Sequence, residues 1–255
     1  LIAAVARRSP PLVQVQTAVE KRKLSRRTVA AAVMILLLIP VTLFVSVYYL
    51  DNKKYIFTAL LVMLECMLPF FMVFEGRKPQ ARELVLIAVL CALGVAGRAA
   101  FFMLPQFKPV MALTIISGVA LGGETGFLVG AVTMLVSNLF FGQGPWTPWQ
   151  MFAMGCIGGL AGSLFSRRGR RPRKGMLCLF GFLAAVVLYG AVMNTASVLL
   201  WSHSLQWELI AAACAAGLPM DLLHGGSTAL LLYLLADPVQ GKLDRMREKY
   251  GWGRG

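Results

Sequence analysis

Residues 109–141 read PVMALTIISGVALGGETGFLVGAVTMLVSNLFF, two apolar runs joined by the turn Leu121-Gly122-Gly123-Glu124. Comparable apolar runs recur along the chain, several of them near the roughly 20 residues that a helix needs to cross about 30 Å of hydrocarbon. We therefore predict an all-α polytopic transmembrane helical bundle, in which the two short spans around this turn are tilted or broken. The predicted spans are 28–50, 55–75, 83–104, 109–121, 124–141, 148–166, 175–200 and 207–236.

The composition also differs from that of a soluble domain. Of the 255 residues, 58% are hydrophobic and 14% are charged, whereas a soluble domain is nearer half apolar and a quarter charged. The formal net charge of +14 could indicate a nucleic-acid partner. However, the basic residues stand in short clusters between apolar runs, which is the pattern of membrane topology rather than of a phosphate-binding surface. We therefore expect a lipid bilayer around the protein and no nucleic acid.

The basic clusters predict the topology. They precede the first span and follow the second, sixth and eighth spans. Eight spans place all four clusters on one face of the membrane, and Lys and Arg are enriched in cytoplasmic loops. Both termini are therefore predicted to be cytoplasmic.

Three connections on the opposite face share an aromatic and amide-rich composition. They read PQFKP at 105–109, GQGPWTPWQ at 142–150 and WSHSLQW at 201–207. One interpretation is an aromatic belt at the level of the lipid headgroups. A belt alone requires no Gly-Gln-Gly-Pro segment, so we favour a ligand-binding mouth. Indole and phenyl faces would stack on a ligand there, and glutamine and asparagine side chains would pair with its amide-like groups.

Small residues recur at every fourth position of the third predicted span. They are Ala88, Ala92, Ala96 and Ala100. Such a face lets two helices approach closely in lipid, and this one begins at the cytoplasmic end of its span, so it could serve a partner helix. Glycines recur with the same spacing at Gly118, Gly122, Gly126 and Gly130. For these we predict internal packing.

A few polar residues lie within predicted spans, where buried polar groups are costly and often functional. Asp221 and His224 are three residues apart, so they could share a hydrogen bond, a proton relay or a catalytic dyad. The chain contains no GxxxxGK[ST], HExxH or GxSxG motif, so we predict neither catalytic residues nor a metal site. The intramembrane polar residues are Glu65, Arg98, Asn138, Asn194, Asp221 and His224.

The stretches ALGVAGR at 92–98, LPQFKPV at 104–110, SGVALG at 117–122 and GFLVGA at 126–131 resemble a known family. They are similar to the core of an S component of the energy-coupling factor (ECF) transporters. The stretch FFGQGPWTPWQM at 140–151 is similar to the cobalamin-type branch.

The resemblance implies the substrate-binding membrane subunit of an ABC-type importer, which captures a vitamin at the extracellular face and is not an enzyme. The implied vitamin is cobalamin, with riboflavin or another heterocycle as the alternative, and no cofactor is expected. The implied partners are a transmembrane coupling subunit and two ATPase subunits, in the plasma membrane of a prokaryote. Two other classes stay open: a secondary transporter acting alone, and a membrane enzyme that uses Asp221 and His224.

The resemblance implies a six-helix substrate-binding core at 82–237. The chain departs from that pattern by two extra spans at 28–75, which could form an accessory two-helix hairpin. The basic residues predict cytoplasmic tails at 1–27 and 238–255. The implied docking face for the coupling subunit is Ala88, Ala92 and Ala96. The candidate substrate-binding residues are Gln106, Phe107, Lys108, Asn138, Gln143, Trp146, Trp149, Gln150 and Asn194.

Overall fold

The computed structural model describes residues 30, 33–49, 57–58, 60–65, 81–166, 172–202 and 206–250. Every regular element in these ranges is helical, which confirms the predicted all-α bundle. Helix α1 is Ile39–Tyr49, entered through the π-helical segment Met34–Leu38, and residues 60–65 are also helical. The other helices are α2 (Ala81–Ala100), α3 (Val110–Leu121), α4 (Gly123–Phe141), α5 (Thr147–Phe165), α6 (Lys174–Leu183), α7 (Gly190–Ser202) and α8 (Trp207–Tyr250), and the π-helical segment Ala184–Tyr189 joins α6 to α7.

Helix α3 lies at the centre of the bundle. Each of its residues from Val110 to Ala120 is buried, as expected for a helix that is apolar on all sides. Helices α4 and α5 pack on α3 and on each other. Gly118, Gly126 and Gly158 meet where the three helices cross, and a Cβ atom on any of them would overlap the backbone of a neighbouring helix. Gly118 and Gly126 therefore serve internal packing, as predicted.

The difference in length between α3 and α4 sets the depth of the loop that precedes α3. The two helices have 12 and 19 residues and meet at the Gly122 turn. At about 1.5 Å per residue they extend roughly 18 and 28 Å from that turn. The 101–109 loop, which leads into α3, therefore enters the bundle about 10 Å closer to the Gly122 turn than the last turn of α4. We call this end of the bundle, which also carries the 142–146 loop, the loop end.

Helices α6 and α7, joined by the π-helical segment, form one continuous helix that packs antiparallel to α8. Lys174 at the start of α6 pairs with Asp237 of α8 at 2.7 Å. The sequence predicts that the last span ends at residue 236, but α8 continues to Tyr250. Hydrophobicity marks the end of a membrane span, whereas a helix can continue through polar residues that favour helical structure. The predicted C-terminal tail is thus helical as far as Tyr250.

Four of the described helical segments are long and apolar enough to cross a membrane, namely Ala81–Ala100, Gly123–Phe141, Lys174–Ser202 and Trp207–Met246. Shorter apolar helices are Ile35–Tyr49 and Val110–Leu121. The protein is thus a multi-pass membrane protein. The tail 1–27, the cluster 167–171 and most of the second predicted span lie outside the described residues. The orientation of the termini stays a prediction.

Two side-chain hydrogen bonds join α1 to the helical residues of the second predicted span. Thr42 donates to Glu65 Oε1 at 2.6 Å, and the hydroxyls of Ser46 and Thr58 lie 2.8 Å apart. Polar pairs of this kind hold helices together where lipid offers no hydrogen-bond partner. Helix α1 also contacts the core, through α5.

Candidate functional site

Asn138, in the last turn of α4, is the centre of a hydrogen-bonded network at the loop end. Its side chain is completely buried. Its Oδ1 atom accepts a hydrogen bond from Arg98 Nη1 at 2.6 Å. Its Nδ2 atom donates to Thr147 Oγ1 at 2.9 Å and to Gln150 Oε1 at 2.8 Å. Arg98 also donates to Ser137 Oγ at 2.7 Å. The network therefore joins α2, α4 and α5.

The network continues towards α8 through an aromatic residue. The side chain of Gln150 hydrogen-bonds with Tyr189, the last residue of the π-helical segment. The ring of Tyr189 packs edge-on against the His224 imidazole, with 5.1 Å between the ring centroids. Short π-helical segments occur frequently at functional sites. Here the segment ends on the residue that connects the network to α8.

The stretch 142–150 is held in a compact conformation. Gly142 has a φ angle of 113°, a value that residues other than glycine rarely adopt. A Cβ atom on Gly144 would overlap the ring of Trp146, so the indole lies directly over this glycine. Gln143 Nε2 donates to the carbonyl oxygen of Leu135 at 3.2 Å. Gln143 Oε1 is buried and has no hydrogen-bond partner among the described residues.

The two tryptophans of this stretch have different surroundings. The side chain of Trp146 is 43% exposed. Trp149 is only 8% exposed, and its ring meets the edge of Phe44 from α1 at a centroid distance of 6.4 Å. We predicted that both would contact the ligand. In the structure Trp149 belongs to the packing between the core and α1, whereas Trp146 retains an accessible face.

The 101–109 loop carries the three other predicted residues of the loop end. Gln106 has a φ angle of 54°, and its carbonyl oxygen accepts a hydrogen bond from Ser227 Oγ at 2.7 Å. The ring of Phe107 packs on Phe101 at 5.4 Å. Burial lowers the pKa of the Lys108 ammonium below its ordinary value, and repulsion by the nearby Arg98 lowers it further. Lys108 therefore places a partly desolvated positive charge at the loop end.

Asn194, the last predicted binding residue, is hydrogen-bonded to α8. Its Nδ2 atom donates to Asp221 Oδ2 at 3.0 Å. Gly190 of α7 faces Asp221, and Gly217 of α8 faces Asn194, so that a Cβ atom on either glycine would lie 2.7 Å from the opposite polar group. We predicted that Asp221 could pair with His224. Instead Asp221 accepts from Asn194, and His224 packs on Tyr189.

The predicted docking residues line an open groove along α2. Ala88, Ala92 and Ala96 are exposed, and the groove between α2 and α4 has a volume of about 790 Å³. Its far wall is apolar and includes Leu128, Val132, Val136 and Phe141 of α4. The two helices approach closely at the base of the groove, because Gly94, which has no side chain, packs directly against the Thr133 side chain.

The structure thus brings most of the predicted residues to one end of the bundle and adds two others. Arg98 was visible in the sequence as a lone cation in an apolar span, but nothing there pointed to its contact with Asn138. Tyr189 carried no sequence signal, because a single tyrosine in an apolar run is ordinary. Among the described residues, no group of three His, Cys, Asp or Glu side chains could hold a metal ion.

Comparisons with known proteins agree with this architecture. The family model described as ECF-type riboflavin transporter, S component, matches residues 78–240, so the chain belongs to this family. An S component is a transporter subunit and not an enzyme. The match confirms the family that the sequence resembles, but it gives no support to the cobalamin-type branch.

Individual relatives are similar over a shorter stretch. The UPF0397 protein of Vibrio atlanticus (strain LGP32) is 34% identical over 113 residues, which cover 42% of this chain and 62% of that protein. The UPF0397 proteins of Aliivibrio fischeri (strain MJ11) and Aliivibrio salmonicida (strain LFI1238) are also 34% identical over 113 residues, or 42% of this chain and 61% of each relative. The chain thus spans less than two thirds of the length of these curated relatives. No solved structure matches the chain.

Proposed function

We propose that the protein is the substrate-binding membrane subunit of an ECF-type importer and captures a vitamin at the loop end. The observation that supports this most directly is the buried network around Asn138. Polar groups inside a membrane protein are costly, and they often mark a substrate pathway. The network lies next to two irregular loops, and irregular backbone at membrane depth is tolerated where it is buried in protein or lines a cavity.

Riboflavin is the ligand that we propose. Its flat ring system carries carbonyl groups and one imide N–H, and therefore needs both donors and acceptors. Gln143 Oε1 is a buried acceptor without a partner among the described residues, and it could receive the imide N–H. Lys108 and Tyr189, which both lie near Arg98, could serve as donors, and the accessible face of Trp146 could stack on the ring. The description of the matching family also names riboflavin.

Cobalamin, which the resemblance implies, suits the observed side chains less well. For a corrin ring we expected apolar faces from Trp146, Trp149 and Phe107, and amide pairing from residues that include Asn138. The Trp149 ring is buried against Phe44, and the side chain of Asn138 uses both of its Nδ2 hydrogens within the protein. A smaller ring requires fewer free aromatic faces and fewer free amides.

We further propose that the groove between α2 and α4 receives a helix of a transmembrane coupling subunit, which two ATPase subunits drive. The exposed face of Ala88, Ala92 and Ala96 allows close helix approach. The groove walls are apolar, as contact with a membrane-embedded partner requires. In this proposal the subunit lies in the plasma membrane of a prokaryote, with both termini in the cytoplasm and the loop end outside.

The ligand is tested by purification from rich medium, mass spectrometry of the co-purified small molecule, and titration with riboflavin and cobalamin in detergent. We expect riboflavin to bind. Trp146→Ala should weaken its binding at least about tenfold, equivalent to roughly 1.4 kcal/mol. Trp201→Ala is the matched control, because Trp201 is 86% exposed at the end of α7, and it should have little effect. Tight binding of cobalamin alone, or equal affinities of the Trp146→Ala and parent proteins, would contradict the proposed site.

The docking surface is tested separately with Ala92→Trp, which fills the groove. Ligand binding by the isolated subunit should be retained, whereas cellular uptake should be lost. The control is Ala191→Trp at an exposed alanine of α7 outside the groove. Parallel loss of binding and uptake would mean that the alanine face is internal packing. Uptake in cells that lack any coupling subunit would instead favour a secondary transporter that acts alone.

A further inference from the structure

Arg98 occupies a position between the groove and the loop end, and it touches both. Its guanidinium donates to Ser137 and Asn138 on α4. It also lies 5.5 Å from the centroid of the Phe141 ring, which lines the groove. Phe141 in turn stacks on Phe102 of the 101–109 loop at 5.2 Å. A cation in these surroundings is retained only where its hydrogen bonds are well formed, because an unpaired buried charge is strongly destabilising.

Asn138 has no free hydrogen to offer a ligand. A side-chain amide has two N–H donors and one carbonyl acceptor. Both donors are used, by Thr147 and Gln150, and the carbonyl accepts from Arg98. The side chain is also completely buried. Asn138, which we predicted as a ligand contact, therefore connects parts of the protein to one another.

Thr147 extends this connection into the 142–146 loop. Its hydroxyl oxygen accepts from Asn138 Nδ2 and also from the backbone N–H of Gly144, at 2.9 and 3.4 Å. The backbone N–H of Thr147 donates to the Gly144 carbonyl oxygen at 2.9 Å. Gly144 lies directly beneath the Trp146 ring. A continuous path of hydrogen bonds therefore runs from Arg98 of α2 to the loop that carries the proposed stacking residue.

We propose that Arg98 is a positioning residue: through Asn138 and Thr147 it holds the 142–146 loop in the conformation that binds the ligand, without touching the ligand itself. The expected effect of Arg98 on ligand affinity rests on the proposed function. Its expected effect on the position of the loop does not depend on which ligand binds. Charge-assisted hydrogen bonds from guanidinium are about twice as strong as neutral ones and depend on its planar geometry. Lysine at this position keeps the charge but not the geometry.

A double-mutant cycle tests the connection in the full-length protein, with riboflavin as the probe and fluorescence quenching as the readout. Arg98→Lys and Thr147→Val should each weaken binding by about fivefold to tenfold. The double variant should be no more than about tenfold weaker than the parent, because both changes interrupt one path. Losses that multiply, to about 25-fold to 100-fold, would show two independent effects and overturn the proposal. Arg245→Lys, at an exposed arginine near the end of α8, is the control.

A second measurement needs no ligand. Pro145→Cys is introduced into the loop, and its rate of reaction with a membrane-impermeant maleimide is read by mass spectrometry, which separates it from the five native cysteines. Arg98→Lys should raise that rate at least about threefold, because the loop opens more often. Equal rates in Arg98→Lys and Arg245→Lys would overturn the proposal. If riboflavin fails to bind the parent while the labelling rate rises as expected, the proposed ligand is wrong and the positioning role stands.

Discussion

Gly130→Ala is the substitution whose effect on the fold follows most directly from the geometry. A Cβ atom on Gly130 of α4 would lie 2.5 Å from the carbonyl oxygen of Met154 on α5 and 2.9 Å from Thr114 Cγ2 on α3. The shortest comfortable approach of carbon to a carbonyl oxygen is about 3.3 Å. The carbonyl belongs to helical backbone and cannot turn away. Helices α4 and α5 would therefore have to separate by roughly 0.8 Å.

The cost of that separation follows from the packing. A gap of about 0.5–1 Å forfeits a quarter to a half of the dispersion energy of the contacts it opens, and overpacked cores typically lose about 1–3 kcal/mol. Alanine also stabilises a helix relative to glycine by about 1 kcal/mol. We expect a net loss of roughly 1–2 kcal/mol for Gly130→Ala. Gly226→Ala, at an exposed helical glycine with no atom near its Cβ position, should gain up to about 1 kcal/mol.

The assay is the apparent free energy of unfolding in mixed detergent micelles, supported by thermal midpoints. The helix-propensity gain is shared by both variants, so their difference isolates the steric effect, which we expect to be about 2–3 kcal/mol. Equal stabilities for Gly130→Ala and Gly226→Ala would mean that α4 and α5 do not pack at the observed distance. The assignment of the glycine spacing to internal packing would then fail.

Three further predictions concern the loop end, the accessory helix and the topology. Lys108→Met should stabilise the ligand-free protein, because burial and Arg98 both oppose the charged form of Lys108, and it should weaken riboflavin binding. The stability of the parent should rise as the pH rises through the lowered pKa of Lys108. A difference in stability between the two proteins that does not change with pH would contradict this. Phe44→Ala should destabilise the protein by about 1 kcal/mol and expose Trp149 to a fluorescence quencher, whereas the exposed Phe57→Ala should do neither. A cysteine at position 204 should react with an impermeant reagent outside intact cells and one at position 170 should not; the reverse result would invert the topology.

The helical class and most element boundaries could be predicted from the sequence because they depend on local hydrophobicity. The third predicted span, 83–104, extends past the observed end of α2 at Ala100, since the apolar residues that follow belong to the 101–109 loop. The lengths of α3 and α4 could be estimated from the position of the Gly122 turn. The depth at which the 101–109 loop enters the bundle, which follows from those lengths, was not predicted. The extension of α8 to Tyr250 was missed because its last turns are polar.

The site was predicted less completely, because residue type shows what a side chain can bond and not which partner it has. Asn138 and Asn194 have the chemistry of ligand contacts, but both donate to protein side chains. Trp149 has the chemistry of a stacking residue, but a helix outside the family match covers it. Each of these partners is distant in sequence or belongs to another element. Pairings of this kind depend on helix packing, which no local pattern encodes.

Helix α2 connects the groove to the hydrogen-bonded network at the loop end. Ala96 lines the groove, and the Arg98 guanidinium lies 5.5 Å from the centroid of the Phe141 ring on the groove wall. Arg98 also donates to Asn138, in the network that leads to the 142–146 loop. A partner that seats in the groove and shifts α2 relative to α4 would change the geometry of the Arg98 hydrogen bonds. By thermodynamic linkage, a ligand whose affinity depends on those bonds must then change the affinity of the partner by the same factor. Under the proposed function, α2 can therefore couple partner docking to ligand release without any contact between partner and ligand.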